Sequence, residues 1–309
     1  MKNILILTYE EDPHAESVCK YFDNINVKYL KLDTEKLSTD FDITFKENNY
    51  FISGIKIDSS FNIWNRRVMN VDNKKGLPRT LSEIVIDEYE KTWDALLNTH
   101  NGKVVNRPHN HHHANNKIDQ LIYASNRIKI PDTIVSNNPE EVKKFYSKHK
   151  GDICFKLHKG AVVEKDGDKL VVYTNKVTSE QMKNVNLVSE HPCMFQEYID
   201  KNFEVRVTAT DNEVVGIKID SQNSETSKVD FRRYDFKNVS YEFIKLPNKV
   251  KQFCSSMLKH YKLHFGEFDF INSKNDDYVF LELNPNGQWL WLEEESGYNL
   301  TKNIGDNLL

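Results

Sequence analysis

The chain has 309 residues, 39% apolar and 28% charged, with a formal net charge of −4. That length suffices for a large core shared among two or three subdomains, and the composition is that of an ordinary globular protein. The charge balance excludes the basic footprint of a nucleic-acid binder. No apolar run approaches the ~18 residues of a membrane span. The opening MKNILILTYEEDP also lacks the long apolar region and cleavage site of a signal peptide, so a cytoplasmic protein with neither membrane nor nucleic-acid partners is expected.

The apolar burst at 3–8, a helical pattern through Ala15, Val18, Cys19 and Phe22, and a second burst at 27–32 give a β-α-β start with a parallel sheet. The intervening turn carries no G-x-G-x-x-G, which speaks against a dinucleotide there. Short runs over 41–64 read as strands, and Leu81, Ile84, Val85, Tyr89, Trp93, Leu96 and Leu97 mark a helix over 80–99. A loop with Pro108 and a helix-like stretch over 116–128 follow. IPDTIVSN then reads as a strand, and SNNPEEVKKFYSKH as a capped helix with acids in its first turn. From 152 onward DICFKLH, KLVVYTN, PCMFQEYI, FEVRVTAT and EVVGIKID alternate as antiparallel strands partly open to solvent. A helix over 248–262 precedes two last strands, FGEFDFIN and DDYVFLELN, joined by SKND. There is no internal repeat. The patterning places boundaries near 115 and 190: an α/β unit, a small mixed unit and a larger antiparallel α+β unit.

Chemistry concentrates in the last two strands. Asp269 ends one, and Glu282 and Asn284 alternate on the other. Residues two apart on a strand share a face, so adjacent strands can gather the three into a cluster of hard oxygen ligands suited to magnesium and a nucleotide. A surface face of ordinary carboxylates is the alternative. Lys117 opens a helix, and Lys156 sits inside an apolar strand, where a lysine calls for a partner. A polyphosphate is one such partner; an exposed strand face is the other reading. In the stretch at 194–200, Gln196, Glu197, Tyr198 and Ile199 read as a hinge offering backbone groups to an adenine edge. Glu204 follows at a distance fit for a ribose hydroxyl, and Arg206 shares its strand face. Asp230, Phe231 and Arg232 follow a polar loop, SQNSETSK, able to close over a substrate, and arginine suits the charge on a transferring phosphoryl group.

In that order, Lys117, Lys156, Gln196 to Ile199, Arg206, Asp230-Phe231-Arg232, Asp269, Glu282 and Asn284 resemble the ATP-grasp superfamily, most closely its RimK-type ligases. Trp64-Asn65-Arg66-Arg67, Asn106-Arg107-Pro108, Asn116 through Leu121, Ile130 through Asn137 and Lys201 resemble the graspetide synthetases, maturases of microviridin-type and grasp-with-spasm peptides. The resemblance covers nearly the whole chain. It implies a three-domain ATP-grasp fold: an N-terminal α/β domain (1–115), a central lid (116–190) and a C-terminal antiparallel-sheet domain (191–309), with ATP between the last two. It further implies Lys117 and Lys156 on the ATP phosphates and Gln196, Glu197, Tyr198 and Ile199 around adenine. Glu204 would hold the ribose, while Asp269, Glu282 and Asn284 would bind Mg2+, expected as two ions. Arg206 and Arg232 would face an acyl-phosphate, with Asp230 beside them. One departure is the lid segment HKGAVVEKDGD, which carries only Gly160 and Gly167 where many relatives have a Gly-rich phosphate loop.

The activity implied is ATP-dependent ligation. An Asp or Glu carboxylate of a precursor peptide is phosphorylated and then attacked by a Ser or Thr hydroxyl or a Lys amine of the same peptide. The implied partners are that peptide, with its leader, and a second copy of the chain in a homodimer. A RimK-like or glutathione-synthetase-like ligase adding an amino acid to a small molecule or protein tail is the rival enzyme. A non-catalytic ATP-binding regulator is the rival of another class. Other features carry less. His109, His111, His112 and His113 read as a solvated loop, Lys74, Lys75 and Arg79 as a surface turn, and Trp289 and Trp291 as packing. The four scattered cysteines read as buried core residues.

Overall fold

The computed structural model describes residues 2–37, 39–68, 78–158, 160, 162–165 and 168–309. The expected turn at Lys74 and Lys75 and the lid glycine Gly167 lie outside the described residues.

The chain opens as the pattern predicts. β1 (Asn3–Thr8) and β2 (Tyr29–Asp33) flank α1 (Pro13–Asn24). Asp12 starts that helix, accepting the His14 N–H at 3.1 Å, with Pro13 in the first turn where its missing N–H costs nothing. β6 (Phe61–Asn65) and the short β7 (Val104–Val105) complete a parallel sheet in the order β2-β1-β6-β7. Between β2 and β6 a meander of β3 (Ile43–Lys46), β4 (Asn49–Ile52) and β5 (Ile55–Ile57) forms its own small sheet. Two helices follow, α2 (Arg79–Thr99) and α3 (Pro108–Ala114). The C-terminal half of α2 buries Tyr89, Trp93, Leu96 and Leu97, whereas Leu81 and Ile84 at its start are exposed. The stretch around Pro108, expected as a loop, is helical. Proline at the first helical position is pre-set for the turn, and it lifts the four histidines onto a helix.

The middle segment holds α4 (Lys117–Ala124), β8 (Thr133–Ser136), α5 (Pro139–Lys148), β9 (Ile153–Lys156), β10 (Val162–Lys165), β11 (Asp168–Val171), β12 (Asn175–Lys176), α6 (Ser179–Met182) and β13 (Cys193–Glu197). β10 and β11 pair as a separate hairpin. The other strands form a sheet in the order β12-β9-β13-β8, so β13, beyond residue 190, completes the middle sheet.

The last segment is built on five antiparallel strands in the order β16-β15-β14-β17-β18. Their ranges are β14 (Lys201–Thr210), β15 (Val214–Ile219), β16 (Tyr241–Ile244), β17 (Phe265–Ser273) and β18 (Tyr278–Asn284). Here the expectation of a half-open strand fails for β14, which is buried from Glu204 to Thr210, and β17 beside it is buried at every residue. Helix α7 (Asn248–Tyr261) covers one face through Val250, Phe253, Cys254, Met257 and Leu258. The other end of the sheet shares a core with the first: Ile4, Ile6, Val18, Phe22 and Trp64 pack with Val215, Ile217, Trp289, Leu300 and Ile304. The last two of these come from α9 (Leu300–Asp306), which follows α8 (Leu290–Ser296). Each such side chain contributes about 1.5–3 kcal/mol by leaving water, so the first and last segments stand as one body. All four cysteines are buried and free, and among the described residues no helix is long and apolar enough to cross a membrane.

Candidate active site

The antiparallel register assembles the site. Asp269 on β17 lies directly opposite Arg206 on β14 and Glu282 on β18, and Glu267 lies opposite Asn284. Because strand neighbours two apart share a face, one surface presents Glu204, Arg206 and Thr208, then Glu267 and Asp269, then Glu282 and Asn284. Asp269 sits mid-strand rather than at a strand end, since β17 runs on to Ser273. Arg206 binds Asp269 at 2.6 Å and approaches Glu267 at 3.2 Å, with all three side chains no more than 8% exposed. Glu204, on the same strand face as this arginine, and Asp230 are occupied elsewhere. Glu204 accepts from Lys201 at 2.7 Å, and Asp230 holds Arg232 through two side-chain bonds of 2.8 and 2.6 Å.

Cations converge on Glu282 from outside the sheet. Gln120 donates to the Leu283 carbonyl at 2.8 Å and accepts the Leu283 N–H at 2.8 Å, which pins α4 along β18. Asn116 caps that helix, and the Lys117 ammonium just after it reaches Glu282 at 2.7 Å and the Leu157 carbonyl at 3.0 Å. Arg232 stands 3.7 Å from the other oxygen of Glu282. Burial by itself would raise the Glu282 carboxyl, but Lys117, Lys156 and Arg232 outweigh it and hold the group well below the usual carboxylate range. Burial dominates next door: Glu267 is pushed up to about 7, only partly offset by Arg206, and Asp269 is also raised. For both arginines burial opposes the charge, yet their carboxylate partners win and keep each guanidinium firmly protonated. Burial lowers the Lys156 ammonium.

This charged face floors a cleft of roughly 600 Å³, counting its open mouth, and the middle sheet walls it. Lys156, Gln196, Glu197, Tyr198, Ile199, Lys201, Glu204, Asp230, Arg232, Asp269 and Glu282 all line it; Lys117 reaches it through Glu282, and Asn284 stands exposed at the end of β18, its side chain accepting the Asn286 N–H. In the hinge, the Glu197 N–H donates to Asp132 and the Tyr198 N–H to Asp152, and the Glu197 carboxylate accepts the Asp132 N–H at 2.9 Å. Among the described residues the Ile199 N–H has no protein acceptor. One oxygen of Glu204 is buried outside any well-formed hydrogen bond, with the Ser221 hydroxyl close by, and is the kind of acceptor a sugar hydroxyl satisfies. Two carboxylates and an amide on one sheet face are a donor set that fits Mg2+. Among the described residues no group of three or more His, Cys, Asp or Glu side chains could hold a metal, so the four histidines of α3 form no such site.

With this geometry in view, a family model described as the RimK-like ATP-grasp domain matches residues 114–308, well over half the chain. The chain belongs to the RimK-like ATP-grasp family. No curated protein matches it. Among solved structures it is similar to a RiPP-associated ATP-grasp ligase of Chryseobacterium gregarium, solved in complex with ADP and a leader and core peptide. The two are 27% identical over 100% of this chain and 96% of that one, with a TM-score of 0.89. The macrocyclase MdnB of Microcystis aeruginosa MRC is 25% identical over 100% and 99%, with a TM-score of 0.79. MdnC of the same organism, at 24% identity over 99% of each chain and a TM-score of 0.85, shares the fold. The expected ATP-grasp architecture thus holds, the chain is an ATP-dependent ligase, and ATP and Mg2+ are the standard cofactors of the fold.

Several parts of this ATP-grasp site escape the sequence reading. Glu267 is fully buried, touches Arg206 and accepts from Thr208 at 2.8 Å, yet only its place two residues before Asp269 could have marked it. Gly287 is needed because a Cβ there would lie 2.2 Å from Cγ of Glu267 and 3.0 Å from Arg206. The SQNSETSK loop is no open flap. Ser221, Ser224 and Ser227 are buried, with the Ser227 hydroxyl donating to the Ser221 carbonyl and that of Ser224 to Asp235. Motif residues outside the cleft brace it: Arg107 donates to the carbonyls of Leu97, Asn98, His100 and Gly102 at the end of α2, and Arg66 to the Asn286 side chain. Trp289 is core, as expected, and Arg66 lies over its ring.

Proposed function

We propose that this ligase is a graspetide-type macrocyclase. It activates Asp or Glu side chains of a ribosomal precursor peptide as acyl-phosphates and joins them to Ser or Thr hydroxyls, or Lys amines, of the same peptide. The observation that carries the reading is a cleft whose floor carries Arg232, Asp269 and Glu282, with Arg206 and Glu267 buried directly against Asp269, and whose walls fit a nucleotide. A relative alike over its whole length, solved with ADP and a leader and core peptide, supports the peptide as substrate.

ATP and Mg2+ supply the phosphoryl group and part of its charge neutralisation; the rest falls to this chain's residues. Ile199 offers its N–H to the adenine edge and Glu204 its other oxygen to the ribose, while Lys117 and Lys156 face the phosphates. Asp269, Glu282 and Asn284 form the oxygen set for the metal. Arg232, held in a fork by Asp230, and Arg206 meet the charge that builds as the peptide carboxylate attacks the γ-phosphorus and ADP departs. Such preorganised donors act mainly in the transition state. The hydroxyl or amine then attacks the acyl carbon, phosphate leaves, and the nucleophile's proton goes to solvent or phosphate, a net loss of one water per ring. A homodimer in the cytoplasm belongs to the same reading.

The test is incubation with ATP, Mg2+ and a peptide encoded by a short reading frame beside the gene. Loss of one water mass per ring by mass spectrometry supports the proposal. ATP-dependent addition of a free amino acid to an acceptor would instead select the rival RimK-like ligase.

A further inference from the structure

The segment just after Arg232 leads from the cleft to the surface as a chain of aromatic rings. Phe231 lines the cleft and stacks on Trp291 with centroids 5.9 Å apart. Trp291 meets Tyr234 edge-on at 5.3 Å, and Tyr234 stacks on Phe236 at 5.2 Å with planes 14° apart. Phe231 is buried, but Tyr234 and Phe236 are 41% and 46% exposed. These two rings pack against Trp291 and Tyr241 yet leave over two-fifths of their surface exposed, an apolar patch near the cleft. Tyr234 also adopts a φ of +20°, a conformation that side-chain-bearing residues avoid and that persists where the surroundings hold it for use.

Charge surrounds the rings. The run is Phe231-Arg232-Arg233-Tyr234-Asp235-Phe236-Lys237, and its one acid is engaged by Ser224 at 2.6 Å and by Asn238. The Arg232 side chain is 39% exposed, so the patch presents cations and rings together. Burial pushes the Tyr234 hydroxyl up while Arg206 and Arg232 pull it down, which places the ring within electrostatic reach of the reacting centre.

We propose that Tyr234, Phe236 and Trp291 form a shelf for an extended acidic peptide, seating the apolar side chains next to the carboxylate that is activated, so that this shelf selects which acid of a peptide reacts. The inference rests on the peptide-ligase reading above and adds a specificity subsite to it. An acidic peptide is favoured over a second copy of the chain because the patch is continuous with the cleft through Phe231 and its cleft end carries Arg232, while Glu295 of α8 faces Tyr241 behind the rings.

The test uses two fluorescein-labelled synthetic peptides, each with one central Glu and one Thr. One has Leu and Phe beside the Glu, the other Ala and Ser. Binding is measured by anisotropy with Mg2+ and ADP present, for the wild-type chain, Tyr234→Ser, Phe236→Ser and the double variant. The shelf predicts at least about tenfold tighter binding of the apolar-flanked peptide, the size of one well-seated aromatic contact. It also predicts that this preference disappears in the double variant, with ADP affinity unchanged. Equal binding of the two peptides, binding of neither, or a preference that survives in the double variant overturns it. So does a wild-type dimer that dissociates in the double variant while the preference remains, which would make the face an interface between copies. The two readings fail separately: a preference lost in the variants, with no ATP-dependent loss of water from any peptide, keeps the shelf and removes the macrocyclase.

Discussion

Arg206 and Asp269 face each other across β14 and β17 at 2.6 Å, both almost fully removed from solvent. A buried pair of this kind adds little net stability, but deleting one partner strands the other in the protein interior. Arg206→Ala therefore confounds folding with catalysis, because Glu267 loses its cation too. Arg206→Lys is the sharper variant: it keeps the charge but cannot reach both carboxylates with one planar fork. Its melting temperature should stay within a few degrees of wild type, while ring formation falls by about a hundredfold, the size of losing one preorganised donor. Wild-type turnover in Arg206→Lys would restrict the residue to bracing the sheet.

Glu282 is the carboxylate on which Lys117 and Arg232 converge. Glu282→Gln should retain the fold, since Lys117 still holds the Leu157 carbonyl, and should abolish turnover. Calorimetry supplies a second readout: Mg2+ should tighten ADP binding in the wild-type chain and leave it nearly unchanged in the variant. An equal Mg2+ effect in both would remove Glu282 from the metal set.

Gly287 lets the loop after β18 lie against Glu267. A methyl group there would overlap Cβ and Cγ of Glu267, at 2.4 and 2.2 Å. Gly287→Ala should displace Glu267 and with it Arg206, giving at least about a tenfold loss of activity, as sub-ångström misplacement of catalytic groups does, and a melting temperature several degrees lower. A variant with wild-type rate and stability would mean that the loop moves aside freely.

How far this site is legible in the sequence depends on the range of the forces that build it. Asp269, Glu282 and Arg206 announce themselves because strand alternation is local, and a period of two fixes their face wherever the strands lie. Glu267 has the same periodicity but reads as one more acid beside a strand start; only the pairing with β14 makes it a partner of Arg206. The burial of β14 is hidden for a similar reason, since its alternation is that of a half-open sheet, while α7 and the shared N- and C-terminal core cover the sheet by long-range packing. The helix around Pro108 does not show in the sequence because four histidines dominate the pattern and hide a proline in its favoured first-turn position.

His14 offers a test of the first-to-last-segment contact that is independent of catalysis. Its ring is 5% exposed, packs edge-on against Trp289 with centroids 4.4 Å apart, and leaves Nδ1 without a partner. Burial first, and then the neighbouring Arg66, lower its pKa from 6.5 to about 3, against the opposing pull of Asp12. The folded chain therefore keeps the imidazole neutral where the unfolded chain protonates it. Between those two pH values the unfolded state binds the extra proton, so stability rises with pH. The His14 contribution is complete above pH 6.5 and drains away as the pH falls toward 3. From about pH 7 to pH 5 the loss amounts to about 2 kcal/mol by linkage. His14→Phe keeps a ring against Trp289 and removes the titration, and His14→Gln removes both. Denaturant unfolding at the two pH values should show the wild type losing about 2 kcal/mol more than either variant, with the carboxylates shared by all three cancelling in the comparison. If the three chains lose stability in parallel, the imidazole titrates as freely in the folded protein as outside it, and the contact between α1 and Trp289 must be loose enough to admit water.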